Sequence, residues 1–213
     1  MISKKLSNAA SAIGISVLLC AALPAQAALV KWHVVGVISG EAGPSSTSNN
    51  FPRPLAAGEL VEMTYTIDTS ATANIIGSYA SYEGAIVAVK ITGNDWAINL
   101  RAQTMQRGAV MITNDDPDYG DSLELAANTY PSAIKTWYVV DTSFRNPGGP
   151  NPGPGPWQPF TKLTLPLSPP NIGYFPNTVF YLTANRGLPE QSVSSNSYYG
   201  QILSITRERC NDR

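Results

Sequence analysis

The chain has 213 residues, the size of one β domain or two small ones. Only 14% of them are charged, and glycine and proline number 17 each without a Gly-X-Y period, which excludes a helical bundle, a coiled coil and a collagen-like fibre. A net charge of −1 with no basic stripe gives nucleic acid or an anionic membrane nothing to bind.

Residues 1–27 read as an export signal. Lys4 and Lys5 form a positive start, Ala9 to Leu23 is apolar or small, and Ala25-Gln26-Ala27 matches the small-x-small pattern that signal peptidase cuts after. The apolar run is short of the ~20 residues that span a bilayer, so no membrane span is expected after cleavage. Cys20 follows Leu19, whereas an acylated cysteine follows a small residue, so a lipid anchor is not expected. Cleavage leaves Cys210 without an intrachain partner. Cys210 is expected to be an inert tail residue, the alternative being a disulfide-linked dimer. The protein is expected to be secreted or periplasmic.

Alternation with period two is the main signal in the rest. Leu29 to Ile38 places Trp32, Val34 and Ile38 on one face, with Gly36 between them and His33 on the other. After Gly58, Val61, Met63, Tyr65 and Ile67 alternate with Glu62, Thr64, Thr66 and Asp68, the pattern of a half-buried antiparallel strand. Ala85 to Ile91, Trp96 to Arg101, Ala109 to Thr113, Leu123 to Ala126 and Lys135 to Asp141 are further strands. Thr161 to Leu165, Thr178 to Thr183 and Tyr199 to Thr206 complete the set, and the one helical scrap falls near Ala126 to Ile134. The stretch 146–159 holds six prolines and four glycines and reads as a loop. Gly43 to Pro54 is a second surface loop. The strands after residue 160 are too few for a core of their own, so residues 28–213 are expected to form one domain. The fold expected is all-β, an antiparallel, jelly-roll-like β-sandwich of roughly 8–10 strands.

The order of landmarks resembles a known family. An opening strand ends in glycine (VVGVISG), and a G-x-x-V-x-x-x-Y-x-I-D strand follows at Gly58 to Asp68. Next come the Tyr-rich stretch Ser78 to Tyr82, a V-x-V-x-I-x-G strand at Val87 to Gly93 and an Asn-Asp turn at Asn114-Asp115. An Asp-led strand at Asp121, the linker Leu165-Pro166-Leu167 and a closing G-x-I-x-x-I strand at Gly200 to Ile205 finish the series. The chain resembles the secreted β-sandwich domain of bacterial proteins of the PEP-CTERM, exosortase-sorted type. That resemblance implies an envelope or extracellular-matrix setting and supplies no catalytic residues. The family's closing Pro-Glu-Pro motif, apolar segment and basic cluster have no counterpart at Arg207 to Arg213, so sorting and anchoring are not carried over.

Few residues carry chemistry. The run Asn114 to Asp121 holds Asp115, Asp116, Asp118 and Asp121, enough carboxylates on one loop to be read as calcium ligands. Gly120 and Ala127 break the EF-hand pattern, and a plain turn is the competing reading. His33, the single histidine, lacks the partners that zinc or a nucleophile elbow would need. Paired carboxylates for glycoside hydrolysis can be drawn from Asp121 with Glu124 or from Glu59 with Glu62. Trp157, Tyr79, Tyr82, Tyr198 and Tyr199 flank turn-like residues and suit stacking against a sugar ring or a protein partner, with core or rim packing as the alternative. The expectation is an exported, non-enzymatic binding or structural module for polysaccharide or an envelope protein, with no cofactor other than that calcium reading. The alternatives are a hydrolase with two carboxylates and a matrix subunit that self-associates by strand addition.

Overall fold

The computed structural model describes residues 29–42, 50–116, 120–129, 136–146, 160, 162–188 and 191–208. The signal segment, Trp157, Asp118, Cys20, Cys210 and nearly all of the Pro/Gly-rich loop lie outside the described residues.

Among the described residues, eleven strands follow in chain order: β1 Leu29–Glu41, β2 Leu60–Asp68, β3 Asn74–Ile76, β4 Tyr79–Glu83, β5 Ile86–Thr92, β6 Ala97–Arg101, β7 Met105–Asp116, β8 Gly120–Thr129, β9 Thr136–Asn146, β10 Asn177–Leu188 and β11 Gln191–Glu208. They form one antiparallel sheet in the order β3-β4-β7-β8-β9-β10-β11-β1-β2-β5-β6. The all-β, antiparallel expectation holds, and the strand count exceeds the one expected. The strands belong to a single sheet that curls into a half-barrel.

The connections dictate the curl. β4 and β5 stand eight places apart in the sheet, about 38 Å if it were flat. Only Gly84 and Ala85 join them, a link that spans at most about 11 Å. The two ends of the sheet must therefore fold toward each other, and β5 and β6 do lie across β7 and β8. At the corner Gly84 takes a φ of 78°, open to glycine at little cost. Asp68 N–H donates to Ala85 O at 2.7 Å, and a methyl at Gly108 would sit 2.1 Å from Ile86 O. Strands that change layers through such tight bends are the device that turns corners in orthogonally packed sheets.

The inner face of the curl is the core. Trp32, Val34, Val61, Met63, Tyr65 and Ile67 are fully buried, as the alternation of β1 and β2 requires. The Phe180 ring lies over Gly36 and Gly200, where a methyl would come within 2.4 and 2.3 Å of it. Inside, the Tyr65 hydroxyl bonds the Thr142 hydroxyl at 2.5 Å, and burial pushes the Tyr65 pKa up.

Two expectations are corrected. The strand expected at Thr161 to Leu165 is absent where it is described: residues 162–168 are irregular, because Pro166, Pro169 and Pro170 lack the donors that a ladder needs. The segment instead closes the core, with Phe160 and Phe175 stacked at 5.9 Å, Phe175 against Phe144 at 5.9 Å, and Leu163 and Leu165 packed beneath. The helical scrap is also replaced where it is described, since Ala126 to Thr129 finish β8.

Candidate ligand-binding face

Each tyrosine suggested for binding can now be placed. Tyr82 and Tyr198 point into the core at 5% exposure. The Tyr82 hydroxyl donates to Leu163 O at 2.5 Å, and Tyr198 meets the Phe51 ring edge-on at 5.3 Å. Tyr79 is half-buried on β4, opposite Ile76 and Thr113. Tyr199 points outward at 39% exposure. These four do not converge, because β4 and β11 are five places apart and Tyr198 and Tyr199 occupy opposite faces of one strand.

Tyr199 instead faces a residue not singled out from the sequence. Its direct cross-strand partner is Tyr181, 44% exposed on β10 between buried Phe180 and Leu182. Gly40 pairs with Tyr199 on the other side, and a methyl there would come within 3.3 Å of the Tyr199 ring. The ring thus rests over a bare stretch of backbone. Hydrogen-bonding groups border the two rings: Thr183 and Ser197 share a 2.8 Å bond, and Gln201 is exposed.

The carboxylate pairs proposed for hydrolysis fall on opposite faces. On β8, Asp121 points inward and is 5% exposed, while Glu124 points outward. Glu59 is held by Arg53 at 2.7 Å and by Trp96 Nε1 at 2.9 Å, and Glu62 stands on the outer face of β2 near His33. The Arg53 guanidinium and the Trp96 N–H outweigh burial and keep the Glu59 carboxyl below its usual range. His33 contacts Thr64 Oγ1 at 3.3 Å and Glu62 at 3.9 Å.

The described residues of the acidic run close β7 and open β8, with Asp116 paired to Gly120. Asp115 adopts a φ of 54°, a left-handed conformation that aspartate tolerates. Asp121 Oδ1 accepts the Asp115 N–H at 2.7 Å, Asp121 Oδ2 accepts the Phe160 N–H at 3.4 Å, and Ser78 Oγ donates to Asp116 Oδ2 at 2.7 Å. Burial, with the nearby Asp115 charge, raises the Asp121 pKa against those two N–H donors. Asn114 Oδ1 is buried without a hydrogen-bonding partner. Among the described residues, no group of three or more His, Cys, Asp or Glu is arranged to hold a metal ion, and no helix is long and apolar enough to cross a membrane.

A different carboxyl pair does share a face. Asp141 on β9 pairs directly with Tyr181 and with Ala126, and Glu124 pairs with Ser143. Asp141 and Glu124 are thus diagonal neighbours on the outer face, and the two carboxyls come within hydrogen-bonding reach. Asp141 Oδ1 is buried and has no hydrogen-bonding partner. Burial first, then the Glu124 charge and the hydrogen bond to Glu124, push the Asp141 pKa up to about 7. An ion pair and a hydrogen bond from a guanidinium border this spot, with Arg107 held by Glu83 at 3.1 Å and Arg145 Nε donating to Ser143 Oγ at 3.1 Å. Register was the missing signal: Glu124 and Asp141 stand on different strands, and only their pairing brings them together.

No family model, curated protein or solved structure matches the chain.

Proposed function

We propose that this chain is an exported, non-enzymatic module that binds carbohydrate at the bacterial envelope or in extracellular matrix. The Tyr181–Tyr199 pair carries the reading: two exposed rings directly opposite each other, one resting on Gly40, with Gln201, Thr183 and Ser197 alongside. Sugar rings stack on such aromatic faces while their hydroxyls bond the polar rim. The curled sheet does the work of the sandwich expected from the sequence, a rigid frame that holds the contact surface in place. The export-signal pattern and the resemblance to PEP-CTERM-type domains support the setting, and the reading needs no cofactor. A glycan array probed with the purified protein tests it. Binding to a narrow glycan class is expected, weakened about tenfold by Tyr181→Ala or Tyr199→Ala with no change in melting temperature. Silence on every glycan sinks the carbohydrate reading.

A second reading rests on the sheet margin. β3 is an edge strand whose Ile75 and Ile76 are 57% and 68% exposed, the profile of an edge open to another strand. A matrix subunit joined there would elute earlier from a sizing column as concentration rises, and Ile75→Lys would abolish the shift.

A further inference from the structure

The outer face beside the two tyrosines carries a built-in response to acidity. We infer that Asp141 and Glu124 hold one proton between them, and that its loss switches the tyrosine face from electrically balanced to negative. The placement of the pair on that face rests on strand register alone; the consequence for ligands rests on the carbohydrate reading above.

Asp141 is the direct cross-strand partner of Tyr181, which is the direct partner of Tyr199, so carboxyl and rings lie in one row across three strands. Glu124 stands diagonally across from Asp141 with their carboxyls within hydrogen-bonding reach. Asp141 Oδ1 is sealed from solvent with no N–H or hydroxyl donor on it, so an ionised Asp141 would leave that oxygen without a hydrogen bond, its charge offset only in part by Arg145 and Arg107. Two carboxyls in such contact favour sharing a proton, as like charges close together resist joint ionisation.

The surroundings fix the sign. Among the described residues, the charged groups on this side of the strands around the pair are Glu83 on β4, Arg107 on β7, Glu124 on β8 and Arg145 on β9, with Tyr79, Tyr181 and Tyr199 as neighbouring titratable groups; Lys31, His33 and Glu62 stand farther along the same outer face, on β1 and β2. Two carboxylates thus face two guanidinium groups. With its proton on, Asp141 leaves this set balanced, and ionisation makes it −1. The burial and the Glu124 charge that raise the Asp141 pKa to about 7 put the change near neutrality. An anionic chain such as a polyuronate would then be accepted below neutral pH and repelled above it, while a neutral chain would be much less affected.

Carboxyl-carbon NMR titration of the purified protein tests the switch without any ligand. The Asp141 signal is expected to move with a midpoint between pH 6 and 8, the Tyr181 ring signals to move with it, and Glu124→Gln to lower the midpoint. A midpoint near 4, or Tyr181 signals indifferent to it, overturns the inference. The ligand arm uses a hexasaccharide of uronic acid and a hexasaccharide of β-linked glucose. Affinity for the anionic one is expected to fall about fivefold from pH 6 to 8, the scale of one charge at close range in a partly solvated site, and Asp141→Asn should flatten that profile. Binding that is strong but flat with pH overturns the inference. If neither sugar binds while the titration holds, the carbohydrate reading fails and the switch stands.

Discussion

Two places in this molecule set carboxyls close together, and they resolve the crowding in opposite ways. At the β7–β8 turn the acids are spent on the chain itself: Asp121 accepts two backbone N–H groups and Asp116 takes the Ser78 hydroxyl. On the outer face of β8 and β9, Asp141 has a buried oxygen with no donor and a second carboxyl as its neighbour. Carboxylates satisfied by local backbone hold a turn in shape, whereas carboxyls that meet across strands with their bonding capacity unspent can respond to the solution.

The sharpest way to break this contrast is to remove the inward acid. Asp121→Ala frees the N–H groups of Asp115 and Phe160 in a region where Asp121 is 5% exposed and Phe160 6% exposed. Hydrogen bonds to a charged group with buried partners left behind predict a loss of about 3 kcal/mol in urea unfolding. A loss under about 0.5 kcal/mol would show that the turn holds its shape without Asp121 and that the two acidic places are not so different.

The outward pair should answer with the opposite sign. Folded Asp141 keeps its proton to about pH 7, against 3.8 for the ordinary carboxyl, so the folded chain binds more protons across that interval. Stability therefore falls as pH rises through the window, and the whole cost is present above it. Asp141→Asn removes the charge and keeps the shape. It should raise stability at pH 8 by about 2 kcal/mol, a figure reduced for the solvent that reaches this half-buried group, and leave it unchanged at pH 3. Melting curves of both proteins at the two pH values decide this. Equal gains at both would locate the effect in packing rather than in the proton.

How far the sequence could lead differs between the same two places. The turn was legible, since Asn, Asp, Pro and Gly crowded into eight residues leave few other conformations. So were the buried faces of β1 and β2, because alternation along one strand is a local property. The Asp141–Glu124 pair and the Tyr181–Tyr199 pair were not, because each depends on register between strands, which residue spacing leaves undetermined. Asp121 with Glu124 looked plausible on paper for the same reason, yet a three-residue step along β8 puts them on opposite faces. The curl was hidden in connection lengths that acquire meaning only once strand order is known. The segment 162–176 read partly as a strand because its apolar residues alternate; its prolines made it a cover for the core instead.

A smaller probe of the turn is Ser78→Ala, which deletes a single bond to Asp116 at a half-exposed site and should cost about 0.5–1 kcal/mol. Calcium should do less. Among the described residues of the turn, both Asp121 oxygens accept N–H groups and Asp116 Oδ2 accepts Ser78, so these oxygens would have to be shared with the cation. A cation that seeks six to eight oxygens gains little by breaking the bonds that hold them in place. The expected result is a melting temperature that calcium and chelator leave alone, where saturation of a real site at a hundred times its dissociation constant would add about 2.7 kcal/mol. A calcium-dependent rise that Asp116→Asn abolishes would move the turn to the responsive side of the comparison, and the loss predicted for Asp121→Ala would then have to be measured again with the metal bound.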